Sequence, residues 1–168
     1  MLPEIMKKRA SMKMYSHYLF DWGDTLMIDF PSENGAMSTW SHVETVPGAE
    51  KLLRTLSGVA RCHLATNASA SSEHEIRKAL DRVHLDNYLT GIFCFQSLGI
   101  EKPAPAFFNH ILKALSVEKH EIVMVGDHLE KDIQGALDFG IDAIWLNTAK
   151  QPVPKGIISV SCLAEMLP

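Results

Sequence analysis

Ile122-Val123-Met124-Val125-Gly126-Asp127 is the most apolar, β-branched run in the chain, and it stops abruptly at a glycine and a carboxylate. Four apolar residues with no polar alternation describe a strand covered on both faces, the habit of parallel sheets. The same signature recurs upstream. Tyr18-Leu19-Phe20 is a short apolar run ending in Asp21, and Val59 to Ala65 reads as a strand ending at Thr66-Asn67. Further strands are expected around Ile92-Phe93-Cys94-Phe95, at Ala143 to Leu146 and at Ile157 to Val160.

Helical patterns separate these strands. Pro47-Gly48 opens Ala49 to Leu56, with Leu52, Leu53 and Leu56 on one face and Gly58 as its stop. Ser71-Ser72-Glu73 to Leu80 carries a serine cap. Pro105 to Leu115 aligns Phe107, Phe108, Ile111, Leu112 and Leu115, Asp132 to Phe139 is closed by Gly140, and Leu163 to Leu167 forms a last turn. Residues 28–46 hold Pro, Ser, Asn and Gly with no steady period and read as a loop or flap. Strand and helix alternation predicts an α/β fold: a three-layer, Rossmann-like parallel sheet with helices on both faces.

Composition narrows the function classes. The chain has 168 residues, 46% hydrophobic and 21% charged, which suits one globular domain. Residues 1–14 read as an N-terminal extension and 15–168 as a single domain. Sixteen basic against 20 acidic residues give a net charge of −4, so a general nucleic-acid surface is not expected. A basic contact through Lys7, Lys8 and Arg9 is the alternative to a loosely docked extension. Cys62, Cys94 and Cys162 are odd in number, far apart and form no CxxC pair, the pattern of reduced thiols in a cytoplasmic protein. No apolar run approaches the ~20 residues of a membrane span, and no apolar stretch follows the N-terminal charges to make a secretory signal.

Ligands of open α/β sheets bind at the carboxyl ends of strands. Asp21, Thr66, Lys102 and Asp127 all fall at or just after expected strand ends. A strand-end aspartate in an apolar setting needs a cation, and Asp21 with Asp127 would suit one Mg²⁺, a hard ion that prefers oxygen. A lysine would neutralise a phosphoryl group and a nucleophilic carboxylate, while Thr66 and Asn67 offer a hydroxyl and an amide to phosphate oxygens. These are the parts that phosphoryl transfer through an aspartyl-phosphate requires.

At these residues the chain resembles the haloacid dehalogenase-like hydrolase superfamily. Phe20-Asp21-Trp22-Gly23-Asp24-Thr25-Leu26 is similar to the first motif, DxDGTL, and Leu64-Ala65-Thr66-Asn67 to the second. Lys102-Pro103 is similar to the third, and Val125 to Asp132 to the fourth, GDxxxxD. The resemblance implies that Asp21 is the nucleophile, that Thr66 and Asn67 orient phosphate oxygens and that Lys102 balances charge. It further implies that Asp21, the Gly23 carbonyl and Asp127 hold Mg²⁺, with Asp132 holding Lys102 or a metal-bound water. Trp22 is expected to pack.

The first motif departs from the family pattern. The family's phosphatases carry a second aspartate, the general acid and base, two residues after the nucleophile; here Gly23 stands there and the carboxylate follows at Asp24. Asp24 either turns inward as that acid or serves as a turn residue that accepts from backbone amides, or His128 supplies the proton. His63, within a strand, reads as structural. Relatives lacking the second aspartate include dehalogenases and phosphonate-cleaving enzymes, which work under a cap domain. The stretches between Asp21 and Thr66 and between Thr66 and Lys102 leave no room for one.

A capless, open site leaves selectivity to other surfaces or to a homo-oligomeric neighbour. Phe30, Met37 and Trp40 are the flap candidates, the alternative being that they pack on the core. The expectation is a Mg²⁺-dependent phosphohydrolase for a phosphorylated small molecule or macromolecule. The rival is a weak or inactive phosphate-binding module, favoured by Gly23. Carbon–halogen or carbon–phosphorus cleavage is disfavoured by the missing cap. A receiver-type signalling domain is disfavoured too, since it would lack GDxxxxD and carry its phosphorylated aspartate on a later strand.

Overall fold

The apolar runs pair side by side into one sheet. In the computed structural model, which describes residues 12–167, six strands are formed: β1 (His17–Phe20), β2 (Arg61–Thr66), β3 (Leu89–Cys94), β4 (Ile122–Gly126), β5 (Asp142–Leu146) and β6 (Ile158–Val160). They run in the order β3-β2-β1-β4-β5-β6, and every pairing is parallel. The first strand in sequence is therefore central, flanked by β2 and β4.

Alternate residues of each strand enter two different cores. Tyr18, Phe20, Cys62, Leu64, Val123 and Val125 meet Leu52, Leu53 and Leu56 of α1 (Ala49–Ser57) and Ile76, Ala79 and Leu80 of α2 (Glu73–Asp81). Leu19, Ala65, Ile122 and Met124 meet Phe107, Phe108 and Ile111 of α4 (Pro105–Leu115) and Ala136 of α5 (Gly135–Phe139). A one-turn helix, α3 (Phe95–Leu98), follows β3. Both sheet faces are thus dry, and this is why the strands read as unbroken apolar runs. The Rossmann-like expectation holds, and no cap domain stands between β1 and β2 or between β2 and Lys102 among the described residues.

Local chemistry sets the boundaries. Helix α2 opens on a capping box: Ser72 Oγ accepts from the Glu75 N–H and Glu75 Oε2 accepts from the Ser72 N–H at 2.7 Å. Pro105 occupies the first turn of α4, where its missing N–H costs nothing. Gly140, at φ 94°, closes α5 in a conformation that favours glycine.

Three of the boundaries that differ from the sequence expectation have an evident local cause. Val59 is 68% exposed and outside β2, because the Val59 and Ala60 N–H groups both donate to the Leu56 carbonyl and finish the turn after α1. Phe95 leaves the sheet to start α3, which Gly99 closes at φ 64°. The helix expected at Asp132 begins earlier, as a π-helical turn over Leu129–Gln134 that leads into α5. Within the flap, Met37 and Trp40 pack on the α1–α2 core while also lining the cleft at the strand ends, and Phe30 is half-buried beside His42.

Residues 1–11 of the expected extension lie outside the described residues. Lys13 Nζ and the Tyr15 hydroxyl both donate to Asp142 Oδ2, at 2.9 and 2.8 Å. His63 is fully buried and stacks on His17, with 3.0 Å between its Nε2 and His17 Nδ1. Burial first, then the neighbouring His17 and Arg61, lowers the His63 pKa to about 4, so His63 is neutral at pH 7.

Phe107 is fully buried in the α4 core. Phe107→Ala is expected to cost about 3–5 kcal/mol in urea unfolding. Val59→Ala, at a position expected from sequence to be a buried strand, should change stability by no more than about 0.5 kcal/mol.

Candidate active site

The carboxyl ends of β1, β2 and β4 converge on one cleft of about 380 Å³, lined among others by Asp21, Thr66, Lys102, Asp127 and Asp132. Asp21 continues β1, its N–H donating to the Val125 carbonyl at 2.9 Å. Asp127 continues β4, and Thr66 is the last residue of β2. The parallel register thus delivers groups far apart in sequence to the same edge.

Lys102 ties the centre together. Its ammonium, 2% exposed, donates to Asp21 Oδ1 at 2.8 Å, Asp132 Oδ1 at 2.7 Å and the Ala65 carbonyl at 2.6 Å. Burial works against its charge, but Asp21 and Asp132 more than offset that and leave its pKa raised. Its backbone is clamped by Asn67, whose Nδ2 donates to the Lys102 carbonyl at 2.7 Å and whose Oδ1 accepts from the Lys102 N–H at 2.8 Å. The Asn67 amide is expected from sequence to face phosphate; Asn67 lines the cleft, and its Oδ1 and one Nδ2 proton are taken by Lys102.

Asp132 lies one turn into the π-helical segment, buried, with Oδ2 accepting from the His128 N–H at 3.0 Å. A Cβ at Gly126 would lie 2.2 Å from that Oδ2 atom, so glycine before Asp127 is a steric requirement of Asp132. The wide turn is held by His128 Nδ1, which accepts from the Lys131 N–H at 3.3 Å. His128 therefore lines the cleft with one ring nitrogen already engaged as an acceptor.

Oxygen atoms of Asp21, Asp127 and Asp132 all come within 4.8 Å of one another. Burial, then the charges of Asp21 and Asp132, pushes the Asp127 pKa up to about 7, although the Thr25 hydroxyl donates to Asp127 Oδ1 at 3.2 Å. A hard-oxygen trio that repels itself in this way fits a divalent cation such as Mg²⁺. Thr25 and Trp145, whose Nε1 donates to the Asp127 carbonyl at 2.9 Å, support this corner and were not singled out from sequence. Thr66 is buried; its Oγ1 accepts from the Ala68 N–H at 3.1 Å, which leaves its own proton free to donate.

The altered turn is also resolved. Asp24 has φ 56°, its N–H donates to the Met27 carbonyl at 2.7 Å, and its Oδ1 accepts from the Asp29 N–H at 3.0 Å. Its carboxylate is thus a turn acceptor at the cleft rim. Gly23 bridges to Met27, and the Trp22 indole donates to Met27 Sδ at 3.1 Å from a buried position. Asp29, beyond this turn, lines the same cleft; burial, then Asp24 and Asp21, raises its pKa.

A family model described as haloacid dehalogenase-like hydrolase matches residues 21–140. The chain is 31% identical over 163 residues to the pyrimidine 5'-nucleotidase YjjG of Escherichia coli, covering 94% of this chain and 71% of that protein. It is 32% identical over 112 residues to the glyceraldehyde 3-phosphate phosphatase of Pyrococcus abyssi, covering 66% of this chain but only 46% of that enzyme. Among solved structures, an uncharacterized protein from Listeria monocytogenes superposes with a TM-score of 0.79 at 28% identity, over 89% of this chain and 93% of that one.

In metal-free protein between pH about 4 and about 7, folded Asp127 holds a proton that an unfolded aspartate releases. Its contribution to stability therefore falls as pH rises through that window. Asp127→Asn, compared with the unsubstituted protein in chelator, is expected to raise the Tm more at pH 7.5 than at pH 5. An equal difference at both pH values would refute the assignment.

Proposed function

We propose that this chain, which belongs to the haloacid dehalogenase-like hydrolase family, is a phosphohydrolase that works through an aspartyl-phosphate on Asp21. The observation that carries this reading is the Asp21 carboxylate itself. It stands at the end of the central strand, tied by one oxygen to Lys102, and opens onto a cleft that Thr66 and Asp127 also line. A nucleotidase and a phosphatase among the relatives support phosphate-ester hydrolysis; the substrate is a phosphorylated small molecule or macromolecule.

Asp21 attacks the phosphorus of a phosphate monoester, the bond to the leaving oxygen breaks, and an acyl phosphate forms on the side chain. Lys102 faces the charge that gathers during this step. Because Asp132 and the Ala65 carbonyl hold its ammonium in place, it needs no reorganisation to do so. The free Thr66 proton is available to a phosphoryl oxygen. Water then attacks phosphorus and releases inorganic phosphate and Asp21. Asp21, the Gly23 carbonyl and Asp127, with Asp132 behind them, would hold Mg²⁺, which supplies charge neutralisation at the phosphoryl group.

Gly23 favours the rival reading, a module that binds phosphate without turnover. The two separate on p-nitrophenyl phosphate, whose leaving group needs little protonation. The protein is expected to hydrolyse it with Mg²⁺, lose the activity in EDTA, and lose about 10⁴-fold or more in Asp21→Asn. Phosphate binding with no turnover would favour the module, and equal turnover by Asp21→Asn would overturn the covalent route.

A further inference from the structure

The chain lacks a carboxylate at position 23, but an exposed one, Asp29, lies in van der Waals contact with the place where a side chain there would begin. An ideal Cβ built on Gly23 would lie 3.4 Å from Asp29 Cβ and 3.5 Å from Asp29 Oδ2. Asp29 comes from the other side of the turn, so a side chain from position 23 and the Asp29 side chain approach the same space. The Asp29 side chain also lines the cleft that contains Asp21, Thr66, Lys102 and Asp127.

The turn that brings it there is specified on both sides. Asp24 Oδ1 accepts from the Asp29 N–H at 3.0 Å, and the Ile28 N–H donates to the Glu44 carbonyl at 2.9 Å. Gly23 and Met27 bridge, Met27 bridges in turn to Thr45, and the Trp22 indole holds Met27 Sδ. The exchange of order, glycine then aspartate, thus has a structural meaning. Gly23 puts no side chain against Asp29, and Asp24 fixes the backbone of the residue whose carboxylate stands beside it.

We propose that Asp29 is the general acid and base of this site, with Asp24 as its positioning residue. The proposal rests on the phosphohydrolase reading above. As Asp21 bonds to phosphorus, the proton of the Asp29 carboxyl passes to the leaving-group oxygen and the alcohol departs neutral. In the second step the Asp29 carboxylate takes a proton from the water that attacks phosphorus, which restores the carboxyl as Asp21 and inorganic phosphate are released. No other co-reactant is consumed.

The test compares leaving groups. Hydrolysis of p-nitrophenyl phosphate and of phenyl phosphate is measured with Mg²⁺ for the unsubstituted protein, Asp29→Asn and the double variant Gly23→Asp/Asp29→Asn, with thermal unfolding as the folding control. Phenolate is the stronger base and needs the proton. Asp29→Asn is expected to fall about 10²-fold or more on phenyl phosphate but less than about 10-fold on p-nitrophenyl phosphate. The double variant should recover part of the phenyl phosphate activity, since a side chain at 23 starts in contact with the position of Asp29. A fall of equal size on both esters, or none on either, overturns the role of Asp29. So does an unsubstituted protein that hydrolyses p-nitrophenyl phosphate but not phenyl phosphate. An unsubstituted protein that hydrolyses neither overturns the phosphohydrolase reading, and this proposal falls with it.

Discussion

One buried ammonium organises the carboxyl edge of this sheet. Lys102 spends its three protons on Asp21, Asp132 and the Ala65 carbonyl, contacts that join β1, β2 and the π-helical turn after β4. Burying a lone ammonium, or either carboxylate without it, would be prohibitive. Each partner is tolerable only because the others are there, and their positions inherit the precision of the sheet. The supporting contacts follow from this constraint. Asn67 grips the Lys102 backbone, and Gly126 gives up its side chain so that the Asp132 carboxylate can lie against β4.

The same logic separates charge by function. Asp132 is buried, with one oxygen on Lys102 and the other on the His128 amide. Asp21 shares the ammonium but faces the cleft, and among the described residues Asp127 has the Thr25 hydroxyl as its side-chain partner. The negative charge is therefore left concentrated on the open side, where a cation and a phosphoryl group would meet it. Position in the ladder of contacts, more than residue type, distinguishes three aspartates that look alike in sequence.

Much of this was legible from residues alone. Strand ends carrying Asp21, Thr66 and Asp127 announced themselves because a polar group after a two-faced apolar run has few places to go, and the strands were visible because both faces are dry. The misjudged parts are those where a local hydrogen bond overrides the pattern. Val59 looks like strand yet completes a helix turn, and Phe95 leaves the sheet at a residue no less apolar than those before it. Asn67 offers an amide to phosphate from its chemistry alone; that the same amide also grips the Lys102 backbone 35 residues later is visible only in the fold. Asp29 carried no signal at all. It lies in an aperiodic stretch, and its relation to Gly23 exists only once the turn through Met27 has folded.

The central place of β1 also bears on how the molecule is made. Residue 17 pairs with residue 61 on one side and with residue 122 on the other. By the time β3 has been synthesised, half a sheet is available, and in it Tyr18-Leu19-Phe20 forms an outer strand with unpaired backbone groups. At about 5–20 residues per second, roughly 5–20 s separate the emergence of β1 from that of β4. For that interval the hydrophobic centre of the finished protein is an exposed edge open to other chains. Lys102 emerges before β4, but the strand that seals the edge brings Asp127 and Asp132 with it, so the site and the protection of β1 are completed together.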